Sequence, residues 1–300
     1  MTERASVVVV NWNGLDHLQR CLPAVAAQTF AEVDVILVDN GSTDGSVDWV
    51  AERFPAVSVI ANDRNLGFAA ANNRGADLAT APTLLFLNSD TQLSRDALVS
   101  PLGYLAESPD VGALTVQLVY PDGRRDPDNH RGFPTPWNAL CHFSGLSRLF
   151  PNDPRFNGYF VPHADFSQTH DVDVIAGSYM MMPRAVFDEL QGWDETYFFY
   201  GEDIDLCYRV HEAGYRIVYF PHVEVLHYKG ASSGLRKESA DIARPPRETR
   251  VRVAQESVRA MKVFYRKFYR EKYHPLVTGA VLAGIQARGW LRVVHHQLRR

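Results

Sequence analysis

Short apolar runs alternate with helix-like segments over the first 120 residues of the chain. Runs such as Val7–Val10 and Leu84–Leu87 are apolar throughout, which is typical of strands buried on both faces of a sheet. Between the runs, apolar residues recur at helical spacing. This alternation predicts the α/β class, with a mostly parallel central sheet that is flanked by helices and joined by right-handed crossovers.

The bounds of these elements follow from the same pattern. The predicted strands are Val7–Asn11, Val33–Asp39, Val57–Ala61, Thr83–Asn88 and Gly112–Val119. The predicted helices are Leu15–Gln28, Gly45–Phe54, Phe68–Ala79 and Ser94–Glu107. Because Pro23 and Pro101 fall inside two of these helices, we expect a kink or a later helix start at each.

Regularity is lost between Tyr120 and His170, a segment that holds seven of the 17 prolines. We predict a long irregular insertion here, and loops of this length in compact domains are usually functional or mobile. Order is predicted to resume at Val172–Ala176. Beyond it we expect the helices Pro183–Leu190 and Glu202–Ala213 and the strands Arg216–Phe220 and Val223–His227.

Charge is distributed unevenly along the chain. Residues 236–300 carry 16 basic and 5 acidic side chains, a net charge of +11, whereas residues 1–235 carry 15 basic and 30 acidic side chains, a net charge of −15. We therefore predict an α/β domain over residues 1–235 and a basic, amphipathic helical extension over residues 236–300. The acidic body argues against nucleic acid as a partner.

The extension carries one apolar stripe at helical spacing. Its members are Val258, Met261, Phe264, Tyr265 and Phe268. Two interpretations are open. Together with Trp290 and Leu291, the stripe suits an interfacial helix on an anionic membrane surface. Alternatively, the helix packs on the acidic body and complements its charge.

The compartment is indicated by what the chain lacks. Three widely spaced cysteines form neither a disulfide framework nor a CxxC pair, which favours a reducing compartment. The first residues pass into a predicted strand without a basic leader. The uncharged run Tyr273–Ala287, with His274 counted as neutral, is shorter than the ~20 residues that span a bilayer. We expect a cytoplasmic protein without a transmembrane segment, peripheral at the inner face of the plasma membrane.

Polar residues directly follow four of the predicted strands. They are Asn11, then Asp39, then the stretch Asn62–Asn65, then Asn88 and Asp90. In open α/β sheets, ligands bind beyond the carboxyl ends of the strands. Four polar ends in succession therefore predict a ligand site along one rim, where Asp39 suits the imide or ribose of a pyrimidine nucleoside. The alternative for Asp39 is an Asx turn with Asn40 and Gly41.

A second polar cluster, Asn65 with Asn72, lies around a predicted helix start, where backbone N–H groups also attract anions. The alternative is an ordinary loop and helix cap.

Asp90 follows the most apolar strand, and a hard cation prefers oxygen ligands. This carboxylate with two diphosphate oxygens suits Mg²⁺ or Mn²⁺, and the alternative is a solvated turn.

Two more candidates come late in the chain. The run Glu202-Asp203-Ile204-Asp205 places three carboxylates at a predicted helix start, more than capping alone explains. We predict Asp203 as a general base. His227 follows the last predicted strand and is either a second ligand to the metal, a diphosphate contact, or a structural histidine.

These residues, in this order, resemble the family 2 glycosyltransferases of the GT-A fold, especially bacterial rhamnosyltransferase-like members. The resemblance covers about residues 5–235. The matching stretches are Val-Val-Val-Val-Asn-Trp-Asn-Gly from Val7, Val-Asp-Asn-Gly-Ser-Thr-Asp-Gly from Val38, Asn-Leu-Gly-Phe-Ala-Ala-Ala-Asn-Asn from Asn65, Phe-Leu-Asn-Ser-Asp from Phe86, Phe-Phe-Tyr-Gly-Glu-Asp-Ile-Asp-Leu from Phe198 and His-Tyr-Lys-Gly-Ala-Ser-Ser from His227.

The resemblance implies an inverting, metal-dependent transfer of a sugar from a nucleotide-sugar donor. Asp39 would bind the nucleoside, with Asn11 and Asn72 near it. Asp90 would be the last acid of the family's DxD-type metal motif. Its first position is Asn88 here, which leaves Asp90 as the sole carboxylate of the motif. His227 would then be more important as a ligand to the metal. Asp203 would match the general base of the family's Glu-Asp motif.

The donor site is thus predicted to comprise Asn11, Asp39, Asn65, Asn72, Asn88 and Asp90. The acceptor, a glycan or a lipid-linked glycan in cell-envelope polysaccharide synthesis, is expected to meet Trp193, Asp194 and Glu202. Trp193 either stacks on a sugar ring or belongs to the core. By resemblance dTDP-rhamnose is the leading donor, with UDP-hexoses and UDP-galactofuranose open, and the sequence does not define the oligomeric state.

Other classes of protein fit less well. A sugar nucleotidyltransferase normally has a glycine-rich phosphate loop near the first strand, which Asn11-Trp12-Asn13-Gly14 is not. A dinucleotide oxidoreductase lacks its GxGxxG motif here. A sugar-nucleotide-binding protein without catalysis would not need Asp90, Asp203 and His227 together.

Overall fold

The computed structural model describes residues 4–28, 32–161, 164–228 and 247–298. The described strands are β1 Ala5–Asn11, β2 Val33–Asp39, β3 Ser58–Ala61, β4 Thr83–Asn88, β5 Thr91–Leu93, β6 Val111–Val119, β7 His130–Arg131, β8 His170–Asp171, β9 Val174–Ile175, β10 Tyr179–Pro183 and β11 Arg216–His227. The described helices are α1 Leu15–Ala26, α2 Ser46–Arg53, α3 Phe68–Leu78, α4 Val99–Glu107, α5 Pro136–Ser144, α6 Leu146–Leu149, α7 Pro154–Asn157, α8 Arg184–Glu189, α9 Glu202–Glu212, α10 Arg247–Phe268 and α11 Pro275–Leu298.

Nine of the described strands form one sheet. Eight of them lie in the order β3-β2-β1-β4-β10-β6-β11-β5, and β8 pairs with β11. Strands β3, β2, β1 and β4 are parallel neighbours, as are β6 and β11, whereas β10 and β5 run antiparallel to their neighbours. The predicted α/β class and mostly parallel sheet are confirmed.

The predicted elements of the first 120 residues are present, with bounds shifted by up to five residues. The largest shift is in α4, which starts at Val99 rather than Ser94 and takes Pro101 into its first turn, where the missing proline N–H costs nothing. By contrast, Pro23 lies inside α1, and the helix continues past it to Ala26.

The sheet contains one central strand that the sequence pattern did not predict. Strand β10 has the sequence Tyr-Met-Met-Met-Pro and lies antiparallel between β4 and β6. Its middle residues lack the β-branched side chains that mark strands. Pro183 is the last residue of β10, so the helix that was predicted to start at Pro183 begins at Arg184 instead. The two predicted late strands are one strand, β11, with a bulge between Phe220 and Glu224.

Helices cover both faces of the sheet and enclose one hydrophobic cluster on each. Helices α1, α2 and α4 contribute Leu18, Val50 and Leu102 to the cluster on one face. Helices α3, α8, α9 and α10 cover the other face, where Phe187 and Phe264 are among the buried side chains.

The insertion between Tyr120 and His170 is not wholly irregular, because it contains α5, α6 and α7. Two of its prolines open helices rather than break them. Pro136 follows the cap Thr135, whose side chain accepts a hydrogen bond from the backbone of Asn138. Pro154 follows Asp153, which caps α7 in the same way. Proline suits this first helical position, so a high proline content did not exclude helices here.

The apolar stripe of the C-terminal extension faces the body. Phe264 and Tyr265 of α10 are buried, and Phe264 packs edge-on against Tyr208 of α9. Helix α11 packs on α10, where Gly289 approaches Val258 closely. Of the two interpretations of this stripe, packing on the body is the one observed. The boundary predicted between residues 235 and 236 lies outside the described residues, so the domain division stays a prediction.

None of the helices in the described ranges is long and apolar enough to cross a membrane.

Candidate active site

The carboxyl ends of β1, β2 and β4 lie side by side, and we call this edge the rim. Asn11 is in register with Asp39 across the β1–β2 pair, and Val10 is in register with Asn88 across the β1–β4 pair. Neighbouring strands are ~4.8 Å apart, so the three polar residues form one short row. The sequence predicted this row, because parallel strands end at the same edge of a sheet.

Asp39 is buried at the rim and accepts three hydrogen bonds from its own chain. Its Oδ2 accepts hydrogen bonds from Asn11 Nδ2 at 2.9 Å and from Ser42 Oγ at 2.6 Å. Its Oδ1 accepts one from the backbone N–H of Ser42 at 2.7 Å. These bonds fix the loop after β2 against β1. The Asx-type turn, an alternative for Asp39 on sequence grounds, is therefore present, and it holds the carboxylate in place.

Asn65 and Asn72 also bond to backbone close to themselves. Asn65 Oδ1 accepts a hydrogen bond from the N–H of Gly67 at 2.9 Å, and Asn72 Nδ2 donates to the carbonyl of Phe68 at 3.0 Å. Among the described residues no hydrogen bond joins Asn72 to Asp39. Both asparagines therefore shape the start of α3, which is the loop-and-cap alternative.

The start of α3 also brings a distant segment to the rim. The N–H of Phe68 donates to the carbonyl of Phe198 at 3.2 Å. Gly67 has a φ of +92°, and a Cβ there would lie 2.6 Å from the same carbonyl. Glycine is required at this close approach. The contact places the segment that leads into Glu202 and Asp203 next to the rim.

Asp90, His227 and Asp126 form a buried chain beside Asn88. His227 Nδ1 lies 2.8 Å from Asp126 Oδ2, and His227 Nε2 lies 3.4 Å from Asp90 Oδ1. Burial alone would lower the pKa of His227, but the carboxylates of Asp90 and Asp126 raise it to about 9. Burial alone would raise the pKa of Asp90, yet His227, with a smaller contribution from His17, holds it below its ordinary value.

The pair of Asp90 and His227 fits a divalent cation. Asp90 Oδ1 is buried and has no hydrogen-bond partner in the part of the chain that the structure describes, and it lies 3.4 Å from His227 Nε2. Asp126 engages the other ring nitrogen, which is the usual outer-shell arrangement for a metal-binding histidine. Within the described ranges no group of three or more His, Cys, Asp or Glu side chains is arranged around one metal position. A cation held here would therefore complete its shell with ligand oxygens or water.

Asp203 forms a largely buried ion pair with Arg131. Arg131 Nη2 lies 2.7 Å from Asp203 Oδ2, and its Nη1 donates to the carbonyl of Asp128 at 3.0 Å. Burial opposes the charge of Arg131, but Asp203 is the first of several groups that raise its pKa above the ordinary value. The ion pair keeps the Asp203 carboxylate in one orientation.

Glu202, the neighbour of Asp203, is buried and differently placed. Within the described ranges, its Oε2 atom has no hydrogen-bond partner. Burial, and then the negative charge of Asp203, raises the pKa of Glu202 to about 8. The two adjacent carboxyl groups therefore have different environments, since Asp203 is paired with Arg131 and Glu202 has no cationic partner among the described residues.

One short loop connects the two carboxylate centres. Asp126 contacts His227 and Arg131 contacts Asp203, and only four residues lie between Asp126 and Arg131 in the chain. A chain of this length spans at most ~18 Å when fully extended. The predicted metal ligands and the predicted base therefore lie on the same side of the molecule.

The predicted acceptor residue Trp193 belongs to the core. Its side chain is 2% exposed and packs edge-on against Phe68 and Phe86. This burial leaves neither face of the indole for a sugar ring, so the stacking interpretation is wrong. Asp194 is half-buried and binds Lys267 of α10 and the side chain of Thr196. Its carboxylate thus holds α10 on the body.

Sequence reasoning missed Asp126 and Arg131. Both lie in the proline-rich insertion, where no strand end or repeated spacing marked them. Asn40 was expected in the turn after Asp39 but was not predicted as a site residue. Its side chain donates to the carbonyl of Gly67 and accepts from Asn62, so it joins three loops of the rim. Lys229, in the stretch that begins at His227, lies outside the described residues.

The chain is similar in sequence to known glycosyltransferases. The family model described as glycosyl transferase family 2 matches residues 6–191, and the model described as the N-terminal domain of galactosyltransferase matches residues 161–231. A Mycobacterium tuberculosis protein named N-acetylglucosaminyl-diphospho-decaprenol L-rhamnosyltransferase is 33% identical over 245 residues, which cover 78% of this chain and 79% of that protein.

Solved structures are similar in fold. A mannosyltransferase from Pyrobaculum calidifontis, in complex with GDP-Man and Mn²⁺, has a TM-score of 0.60 at 20% identity and covers 99% of this chain and 74% of its own. TarS 1–349 of S. aureus, in complex with UDP, has a TM-score of 0.54 at 16% identity and covers 89% and 73%.

Proposed function

Because the chain belongs to glycosyl transferase family 2, and is therefore a glycosyltransferase, we propose that it moves rhamnose from dTDP-rhamnose to a lipid-linked glycan acceptor in cell-envelope polysaccharide synthesis. One observation carries the proposal: the short segment from Asp126 to Arg131 joins the pair Asp90–His227 to the pair Arg131–Asp203. The choice of sugar and acceptor is supported by the name of the mycobacterial relative.

The donor nucleoside binds at the rim in this proposal. Asp39 is pre-oriented by Asn11 and Ser42, which reduces the entropic cost of binding a base or ribose. Asn88 lies next along the rim, towards the diphosphate. Asn65 and Asn72 contribute by holding the start of α3 rather than by touching the donor.

The diphosphate lies at Asp90 and His227, which would hold Mg²⁺ or Mn²⁺. When bound, the cation supplies positive charge that offsets the charge developing on the departing diphosphate. Asp126 keeps His227 Nδ1 engaged, so Nε2 faces Asp90. The Mn²⁺ in the mannosyltransferase structure of similar fold supports a divalent cation.

Asp203 serves as the general base. It takes the proton of an acceptor hydroxyl while the oxygen bonds to the anomeric carbon and the bond to the diphosphate breaks on the opposite side. One displacement of this kind inverts the anomeric centre. Arg131 orients the Asp203 carboxylate. Of the three predicted acceptor contacts, Glu202 is the one next to the proposed base in the sequence.

Replacing Asp203 by asparagine tests the proposed base. The amide keeps the shape of the side chain but cannot take a proton, so we expect turnover to fall by about 10²–10⁴-fold while the donor still raises the melting temperature of the protein. Initial rates and thermal shifts with dTDP-rhamnose measure the two effects. An Asp188→Asn variant, exposed on α8, is the matched control. Near-normal turnover of Asp203→Asn would exclude this residue as the base.

The same proposal places the protein as a peripheral component at the inner face of the plasma membrane, because a lipid-linked acceptor stays in the bilayer. It also retains residues 1–235 as the catalytic domain and residues 236–300 as a helical extension.

A further inference from the structure

The outward side of α11 is apolar. Leu276 is 78% exposed near the start of the helix and Trp290 is 63% exposed near its end, with Val277 and Leu291 exposed beside them. The residues between them on this side are mostly Gly and Ala, and the helix contains no Asp or Glu. The opposite side packs on α10, so the exposed apolar side chains have no cover within the described parts of the chain.

A second apolar surface lies on helices α5 to α7. Phe143 is 60% exposed and Leu149 is 70% exposed. Other exposed apolar side chains in this segment are Trp137, Leu140, Phe150 and Phe160. Together with α11, the segment holds ten of the thirteen large apolar side chains that are exposed in the described residues. Such concentration is unusual for a surface that faces only water.

The two surfaces adjoin each other. The guanidinium of Arg288, on α11, lies 4.3 Å from the centre of the Phe143 ring on α5. We call the combined surface the apolar face; its members are Trp137, Leu140, Phe143, Leu149, Phe150, Phe160, Leu276, Val277, Trp290 and Leu291.

The helices that carry the apolar face have a net positive charge. Arg148, Arg288 and Arg292 belong to its helices, and the one acidic residue between residues 136 and 160 is Asp153, which is paired with Arg155 at 2.7 Å. An apolar surface with basic residues at its edge matches the interface of an anionic bilayer, where aromatic side chains enter the headgroup region and arginines contact phosphate.

The apolar face is directly connected to the active site. The segment that carries α5 to α7 begins and ends at one narrow point, where the N–H of Gly132 donates to the carbonyl of Tyr159 at 2.9 Å. A Cβ on Gly132 would lie 2.1 Å from the carbonyl oxygen of Gly158, so the two ends touch. Arg131, which binds Asp203, immediately precedes this point.

We propose that the apolar face docks the enzyme on an anionic phospholipid bilayer and presents the site at Asp203 to an acceptor whose lipid remains in the membrane. The part concerning the acceptor rests on the proposed function; the docking itself rests on the surface alone. The part of the membrane interpretation that placed the stripe of α10 in the bilayer is replaced here, because Phe264 and Tyr265 are buried and the other stripe residues are half-buried. Trp290 and Leu291, which that interpretation included, belong to the apolar face.

Vesicle flotation of the full chain tests the docking. We expect binding to vesicles of phosphatidylglycerol with phosphatidylcholine, and weaker binding to phosphatidylcholine alone or at high salt. The double variant Phe143→Ser and Trp290→Ser removes two exposed anchors, and its partition coefficient should fall by at least about tenfold. Leu78→Ser, an exposed apolar residue on α3, is the matched control and should float like the wild type.

Three outcomes would overturn the proposal: no flotation of the wild type, unchanged flotation of the double variant, or flotation lost equally in the control. A dimer in light scattering that the double variant abolishes, without vesicle binding, would assign the face to a second copy of the chain instead. Melting temperatures check that the variants fold. The rate of sugar transfer to a water-soluble acceptor analogue should change by no more than about twofold in the double variant. If neither the wild type nor the variants transfer sugar to this analogue, the proposed function is contradicted and the docking result is unaffected.

Discussion

Asp126 is the residue on which the geometry of the proposed metal site depends, although it is not a proposed ligand. It is buried, and its two carboxylate oxygens have separate partners: Oδ2 contacts His227, and Oδ1 accepts hydrogen bonds from Tyr120 Oη and from the backbone of Asp128. Residues in this outer position commonly change metal affinity when they are replaced.

Replacing Asp126 by asparagine should weaken Mn²⁺ binding by about 10–100-fold, because His227 loses the carboxylate that orients its ring. Titration of the protein with Mn²⁺, followed by electron paramagnetic resonance, measures the affinity without turnover. Tyr120→Phe, which removes one hydrogen bond to the other oxygen of Asp126, is the control and should bind within a few-fold of the wild type. Equal affinities for all three proteins would show that His227 does not need this support.

The raised pKa of Glu202 leads to a prediction of how the free energy of unfolding depends on pH. Its pKa is raised by burial from 4.5 to about 8 in the folded protein, so the folded state binds more protons than the unfolded state between these values. Stability is therefore lost as pH rises from about 4.5 to 8. Glu202→Gln removes this loss and should be more stable than the wild type at pH 9 by roughly 1–3 kcal/mol. Urea unfolding at pH 5 and pH 9 checks this, and a stability difference that is the same at both pH values would contradict it.

At the scale of elements, α10 is held on α9 by a buried charge contact and by aromatic packing. Lys267 bridges Asp194 and Asp205, and Asp205 is 0% exposed. Tyr208 of α9 packs against Phe264 and Phe268 of α10. The extension is thus attached where α9 starts, close to Asp203, so changes in the attachment should reach the catalytic segment.

Replacing Lys267 by methionine should destabilise the protein by about 1–3 kcal/mol, because Asp205 is buried and, among the described residues, would keep Arg209 alone as a charged partner. Arg266→Met, an exposed neighbour on the same helix, should change stability by less than ~0.5 kcal/mol. Chemical unfolding of both variants measures the difference. If the two variants have the same stability, the bridge contributes nothing to holding α10.

At the scale of the whole molecule, the sequence predicted what depends on local periodicity. The parallel strands and the row of Asn11, Asp39 and Asn88 follow from apolar runs with polar ends. Strand β10 was not predicted, because Tyr-Met-Met-Met-Pro has no strand pattern. This segment forms a strand because it pairs with β4 on one side and β6 on the other. Arg131 and Asp126 escaped because their partners are distant in the chain, and no local spacing records such a contact.

The contact between Gly132 and Tyr159 has a consequence for how this kind of enzyme diversifies. Residues 133–158 form a segment whose two ends meet at this contact, and the strands β1, β2 and β4, which end in the row of Asn11, Asp39 and Asn88, take no part in it. Under the proposed function, residues 132–159 can therefore be exchanged as a unit, together with their apolar surface, without a change in the row of Asn11, Asp39 and Asn88.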